Sequence, residues 1–233
     1  MQQHVLLPVA DGSSMQVYVS APDAAGSYPA VILIQEAFGV NGHIRNVSDR
    51  LAAEGYVVLS PEIFHRTAPV GAEFSYSDFP SVMPHYQAIS VEGLTDDLQA
   101  SYDWLQSQAN VIKDKIGSVG FCLGGRVAFV ANAVLPLSAG VSYYGGYLDQ
   151  VAGLAPQVHG PHLFFWGGLD THIPAATRDA VTGAMDAAGK PYINTVISYA
   201  NHAFACDERP SYNADAATEA WAMTLAFFKN KLK

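Results

Sequence analysis

Ile116-Gly117-Ser118-Val119-Gly120-Phe121-Cys122-Leu123-Gly124, continued by Gly125-Arg126-Val127-Ala128-Phe129-Val130-Ala131, is the stretch whose reading decides the fold. The apolar run up to Gly120 is short enough for a buried strand, and the run from Gly125 reads as a helix. Between them, Gly120-Phe121-Cys122-Leu123-Gly124 has the form of a nucleophile elbow with cysteine in the serine position. A strand that turns into a helix through one residue strains that residue and holds its side chain clear of the sheet. The flanking glycines leave room for the crowded backbone. The helix N-terminus adds N–H groups and a positive dipole end, which favours a thiolate over a thiol. The Leu123 N–H is placed to donate to a developing oxyanion. A buried, inert cysteine in a glycine-rich turn is the other reading of this pattern, and the strand before and helix after weigh against it.

Outward from the elbow, strands and helices alternate. Toward the N-terminus, residues 4–9 and 15–20 alternate around Asp11-Gly12, which predicts a hairpin. Ala30 to Gln35 is a continuous apolar run of the kind a central parallel strand requires. A helix is expected from about His43 to Glu54, closed by Gly55, and then a strand over Tyr56 to Ser60. Residues 61–90 read as a long irregular loop rich in proline and aromatics, which suggests a lid or binding loop. A helix over about Val91 to Gln108 leads into the elbow strand. Beyond the elbow, strands are expected at Ala139 to Tyr143, His162 to Trp166 and Tyr192 to Tyr199. Helices are expected near Pro174 to Ala188 and Asn213 to Leu232. The pattern predicts an α/β fold in one domain over 1–233, with a mostly parallel sheet, helices on both faces and an N-terminal hairpin.

Composition narrows the partners. A length of 233 residues with 50% hydrophobic content supplies ample core, and the net charge of -9 argues against nucleic-acid or anionic-membrane binding. The start Met1-Gln2-Gln3-His4-Val5 has neither a charged leader nor an apolar span, so a soluble cytoplasmic protein is expected, a monomer or small homo-oligomer. Two cysteines make no disulfide framework; Cys122 reads as free and Cys206 as a small packing residue.

An elbow nucleophile needs a base and an acid that orients it, and in this architecture both follow later strand ends. Asp170, in Gly167-Gly168-Leu169-Asp170, and His202, in Asn201-His202-Ala203-Phe204, fall at the carboxyl edge where Cys122 sits. Taken alone, each has a lesser plain reading, a capping aspartate or a surface histidine; three in the right order on one edge argue for a site. Glu36 ends the most apolar strand at the same edge, where it is a solvated charge or a carboxylate that accepts the thiol proton. The Ala37 N–H is the second candidate oxyanion donor beside Leu123. His159-Gly160-Pro161-His162 lies at a strand entrance, on the opposite edge, with nothing to complete a metal site. His172 lies close to Asp170, and His4, His43, His65 and His85 show no partner in sequence. Neither a metal nor an organic cofactor is called for.

Taken together, Gln35-Glu36-Ala37-Phe38-Gly39-Val40-Asn41, Pro61-Glu62-Ile63-Phe64, Gly120-Phe121-Cys122-Leu123-Gly124-Gly125, Gly167-Gly168-Leu169-Asp170 and Asn201-His202-Ala203-Phe204 resemble the dienelactone hydrolase (carboxymethylenebutenolidase) family over nearly the whole chain. The resemblance implies an α/β-hydrolase fold, a Cys122, Asp170, His202 triad, and a small lactone or ester substrate cleaved through a cysteinyl thioester. It also implies that Glu36 pairs with the resting thiol. A catalytically idle protein of this fold that binds a small ligand is the alternative.

The chain departs from the family in its arginines. Family members hold a substrate carboxylate with one arginine in the long loop and one just after the histidine. Here no Arg or Lys lies between Thr67 and Val111, and Cys206 stands four residues past His202. Arg209 or Arg66 could substitute, while Arg126 is expected to pack or cap inside its helix. Phe38 and Tyr86 join Arg209 as candidate substrate contacts. The loop aromatics Phe64, Phe74, Tyr76, Phe79 and Tyr86, with Met83, suggest a substrate less negative, or larger and more aromatic, than dienelactone.

Overall fold

In the computed structural model, which describes residues 1–233, the apolar runs pair into one eight-stranded sheet of order β1-β2-β4-β3-β5-β6-β7-β8. The strands are β1 (Gln2–Pro8), β2 (Ser14–Ser20), β3 (Tyr28–Ile34), β4 (Val57–Pro61), β5 (Val111–Phe121), β6 (Ala139–Tyr143), β7 (His162–Gly167) and β8 (Tyr192–Ile197). β1 and β2 form the expected hairpin, and β2 meets β4 antiparallel; every other pairing is parallel. The helices are α1 (Gly42–Ala53), α2 (Phe79–Gln87), α3 (Val91–Ser107), α4 (Leu123–Val134), α5 (Ala175–Ala187) and α6 (Ala214–Leu232).

Alternation along β3 shows how the two faces are filled. Val31 and Leu33 join a core shared with α1 and α6, whereas Ala30, Ile32 and Ile34 join one shared with α3 and α4. All five are fully buried, as a central strand covered on both sides requires. Helix starts follow local chemistry: Asn41, Ser90 and Asn213 each accept a backbone N–H from the first turn of α1, α3 and α6. No helix is long and apolar enough to cross a membrane.

Two segments depart from expectation. Residues 61–90 are not irregular throughout, because α2 lies within them. Asp78 caps it and Pro80 suits its first turn, but Pro84 sits inside and only Val82 is buried, so no apolar stripe announces it. The first part of the segment is pinned by Glu62, whose carboxylate accepts from Gln16 Nε2 at 2.7 Å and the Gly71 N–H at 2.9 Å. The second departure is a 3₁₀ helix over Leu148–Gln157, between β6 and β7.

Candidate active site

β5 ends at Phe121 and α4 begins at Leu123, so the reversal rests on Cys122 alone, at φ 54°, ψ -114°. A residue with a Cβ is strained there, and the surrounding packing must hold it. A Cβ on Gly120 would overlap the Gly124 carbonyl, and one on Gly124 would overlap the carbonyls of Ile34 and Gln35. These two glycines therefore let α4 press against the end of β3, which brings Glu36 and Ala37 beside the elbow.

The carboxyl ends of β7 and β8 supply the partners. His202 Nε2 lies 3.2 Å from Cys122 Sγ, and its Nδ1 lies 2.7 Å from Asp170 Oδ2. The other Asp170 oxygen accepts the N–H groups of His172 at 2.8 Å and Ile173 at 3.2 Å, which fixes the carboxylate. Burial alone would raise the Asp170 pKa, but the His202 hydrogen bond and charge, with the His172 N–H, bring it below the ordinary carboxylate value. His202 shows the mirror effect. Burial pulls its pKa down, yet the negative charges at Cys122 and Asp170 outweigh that and lift it to about 10. The arrangement favours a protonated His202 ring at neutral pH.

The two candidate oxyanion donors are free. Ala37 N–H has no acceptor within the protein, and Leu123 is the first residue of α4, whose N–H has none within the helix. Glu36 is fully buried, and neither carboxyl oxygen has a hydrogen-bond partner. Arg209 Nη1 is the nearest cation, 4.0 Å from Oε1. Burial raises the Glu36 pKa against the opposing fields of His43, Arg209 and His202. The expected pairing of Glu36 with the resting thiol is not made: Cys122 Sγ turns to His202 instead, where a charge-assisted partner is offered.

The candidate substrate contacts divide into two walls. Phe38 packs edge-on against Tyr76 with ring centroids 4.7 Å apart, and the Arg209 guanidinium lies 5.5 Å from the Phe38 ring and 5.6 Å from that of Tyr76. The Tyr76 hydroxyl is held by Asn41 Nδ2 at 2.8 Å and by the buried Cys206 thiol at 3.4 Å, so Cys206 is the packing residue expected. Tyr86, on α2, faces Arg126. Arg66 is no substitute for a substrate-binding arginine, because Asp11 (2.6 Å) and Asp97 (2.9 Å) already neutralise it. Among the loop aromatics, Phe64 and Phe74 pack on each other and on His85, whereas Phe79 is exposed.

Sequence reasoning passed over Tyr144. It follows β6, adopts φ 37°, and sets its ring 5.2 Å from that of His202, with a buried hydroxyl that has no partner. Its place at a third strand end on the elbow's edge was the available signal. His172 rests its ring 5.4 Å from His202 on the other side.

Comparison with known proteins bears on the chain as a whole. The profile of the dienelactone hydrolase family matches residues 15–232. A Synechocystis relative, provisionally named a carboxymethylenebutenolidase, is 35% identical over 93% of this chain and 92% of its own. A Pseudomonas putida protein named carboxymethylenebutenolidase is 32% identical over 93% of this chain and 92% of its own. A crystal structure from Klebsiella pneumoniae, provisionally assigned as a dienelactone hydrolase, superposes with a TM-score of 0.89 at 28% identity, covering 98% of both chains.

Proposed function

The chain belongs to the dienelactone hydrolase family, and from that premise we propose that it hydrolyses a small lactone or ester through a cysteinyl thioester. The observation that carries the reading is the continuous line from Asp170 through His202 to Cys122, with hydrogen-bond distances of 2.7 and 3.2 Å. The eight strands share one sheet, which supports reading residues 1–233 as a single α/β-hydrolase domain.

In this mechanism the Cys122 thiolate attacks the scissile carbonyl carbon, and the carbonyl oxygen gathers negative charge between the N–H groups of Leu123 and Ala37. The C–O bond then breaks, and the leaving oxygen takes the proton from His202 Nε2. His202, now neutral, removes a proton from water as that water attacks the thioester carbonyl. Collapse breaks the C–S bond, releasing the carboxylic acid and the Cys122 thiolate beside the still protonated His202, which is the starting state. Asp170 keeps the ring oriented and stabilises its charged form throughout. Glu36 supplies a buried carboxyl whose charge state is felt at His202, with Arg209 opposite it. Phe38 and Tyr86 wall the two sides of the acyl cleft.

The test is hydrolysis of short-chain nitrophenyl esters and small lactones by wild type and Cys122→Ala. The expected loss of kcat/KM is about 10³ or more with the fold intact. An enzyme that loses nothing with the thiol is not using Cys122 as its nucleophile.

A further inference from the structure

Four residues other than glycine adopt positive φ: Cys122 at 54°, Tyr144 at 37°, Tyr147 at 56° and Ala203 at 60°. All four follow the carboxyl ends of β5, β6 and β8, the edge that carries the triad. A side chain makes this region of backbone costly, so such residues persist only where their surroundings over-determine them. Cys122 is the nucleophile of the mechanism above, and Ala203 follows the base. Tyr144 has no part in that mechanism, yet its contacts join the other two.

On one side Tyr144 is tied to the elbow. The carbonyl of Tyr143, just before it, accepts the Cys122 N–H at 3.0 Å, and the N–H of Gly146, two residues after it, donates to the Cys122 carbonyl at 3.3 Å. Its own N–H donates to the Phe165 carbonyl on β7 at 2.8 Å. The backbone that carries the ring is thus fixed to the residue that carries the thiol. The ring is fully buried, with the rings of Phe121 at 6.2 Å and Tyr143 at 6.1 Å.

On the other side it grips the turn that carries the base. The Tyr144 centroid lies 5.2 Å from the ring of His202 and 5.2 Å from that of Phe204, both within the range of favourable aromatic pairs. Those two residues flank the strained Ala203. The His202 N–H is answered inside the same loop, by the Asn201 side chain at 2.8 Å, so it does not tie the loop to the sheet. His172 also meets the His202 ring, at 5.4 Å, but it is exposed and can turn aside. The buried Tyr144 hydroxyl has no partner, so what this residue gives its neighbours is a rigid ring.

We infer that Tyr144 is a positioning residue for the base: its ring, fixed to the elbow, holds the His202-Ala203-Phe204 turn so that the imidazole stays in line with both Cys122 and Asp170. The imidazole has two partners to keep at once, the thiol at 3.2 Å and the carboxylate at 2.7 Å, and a ring held by Asp170 alone can swing about that one bond. The consequence for catalysis rests on the triad reading. The consequence for the His202 proton does not. That proton answers to the charges of Cys122 and Asp170, which hold it, and to burial, which opposes them, with the exposed His172 and the buried Glu36 as the remaining titratable groups around the ring. A ring that drifts from its two anions, or that water reaches, gives up its proton more readily.

The experiment compares Tyr144→Leu, Tyr144→Phe and His172→Ala with wild type on a nitrophenyl ester across pH. Tyr144→Leu should lower kcat by about tenfold to a hundredfold, as expected for a misplaced catalytic group, with KM little changed. Its alkaline limb should move to lower pH. Tyr144→Phe, which keeps the ring and drops only an unpartnered hydroxyl, should restore most of both, and His172→Ala should cost much less than Tyr144→Leu. If Tyr144→Leu does not fold, Tyr144→Met fills the space with a flexible chain and carries the same expectation. A second arm needs no turnover: NMR of labelled histidines follows the His202 ring, assigned by its loss in His202→Ala. Its midpoint, about 10 in wild type, should fall toward 6.5 in the leucine or methionine variant and stay in Tyr144→Phe. If wild type turns over no ester, the hydrolase reading fails while the titration still decides the role of Tyr144. An unchanged His202 midpoint without the ring, a loss confined to KM, or a Tyr144→Phe as impaired as Tyr144→Leu overturns the inference.

Discussion

His202, partly buried, and His162, fully buried, each hydrogen-bond to groups beside the elbow or its helix, yet their protons behave in opposite ways. His202 sits between Asp170 and Cys122 and is lifted to about 10. His162, at the amino edge of β7, is fully buried among neutral groups and is pulled down to about 3 by burial alone. Its Nε2 lies 2.8 Å from Ser142 Oγ, whose own proton goes to the Gly125 carbonyl, so the ring donates there. Its Nδ1 accepts from Asn132 Nδ2 at 3.1 Å, and the Asn132 oxygen is occupied by the Gly160 N–H. A proton on Nδ1 would face another donor. Burial thus silences a histidine when its partners are neutral and leaves it charged when its partners are anions. The edge of the sheet decides which partners are present.

The largest effect should come from making the reactive centre resemble the silent one. Asp170→Asn replaces the anion beside His202 by a neutral amide, and kcat/KM for ester hydrolysis should fall by about 10² to 10⁴. His202→Ala should fall comparably, and the double variant should lose little more than the worse single, because both act on one proton. Kinetics of the three variants check this. Losses that simply multiply would mean that the two residues work apart.

The silent centre makes its own prediction, on stability. His162 has a folded pKa near 3 against an ordinary value of 6.5, so the folded state binds fewer protons than the unfolded state between those limits. The contribution is fully present above pH 6.5 and is lost as pH falls toward 3, amounting to on the order of 3 kcal/mol by pH 4. Urea unfolding at pH 7 and pH 4 measures it. His162→Gln should be less stable at pH 7 but should lose distinctly less between the two pH values than wild type does. His202 has the opposite sign: its contribution is complete below pH 6.5 and is lost as pH rises through about 10.

What could be read from the chain follows the same division. The elbow was legible because its causes are local: glycines where a Cβ cannot fit, an apolar strand before and a helix after. Asp170 and His202 were legible because parallel strands deliver their ends to one edge in chain order. The α2 helix was not, since two prolines and a single buried valine give no period to follow. Arg126 facing Tyr86 depends on how α2 settles over the elbow, and nothing near either residue encodes that. The partner of the thiol was misjudged for a related reason. Cys122 meets His202 and not Glu36, an outcome of charge and packing that spacing does not describe.

Glu36 gives the smallest expected effect and tests the comparison from a third direction, as a buried acid whose partners are neither neutral nor firmly bonded. Burial raises its pKa, so the folded state holds this proton to higher pH than the unfolded chain, whose carboxyl titrates near 4.5. The sign follows: no penalty applies below pH 4.5, and stability is lost as pH climbs from there through the raised value. Glu36→Gln removes that penalty, because an amide needs no ionisation. The variant should therefore gain on wild type as pH rises from 4.5 to 8. Urea midpoints across that interval measure the gain. Glu36 and His202 also feel each other's charge, so an ionised Glu36 helps to keep His202 protonated. Without it, the alkaline limb of the ester-hydrolysis profile, set by loss of the His202 proton, should move to lower pH. A variant that keeps both the wild-type stability profile and the alkaline limb would mean that the buried carboxyl is electrically silent, as His162 is, and that the field at the thiol comes from Asp170 alone.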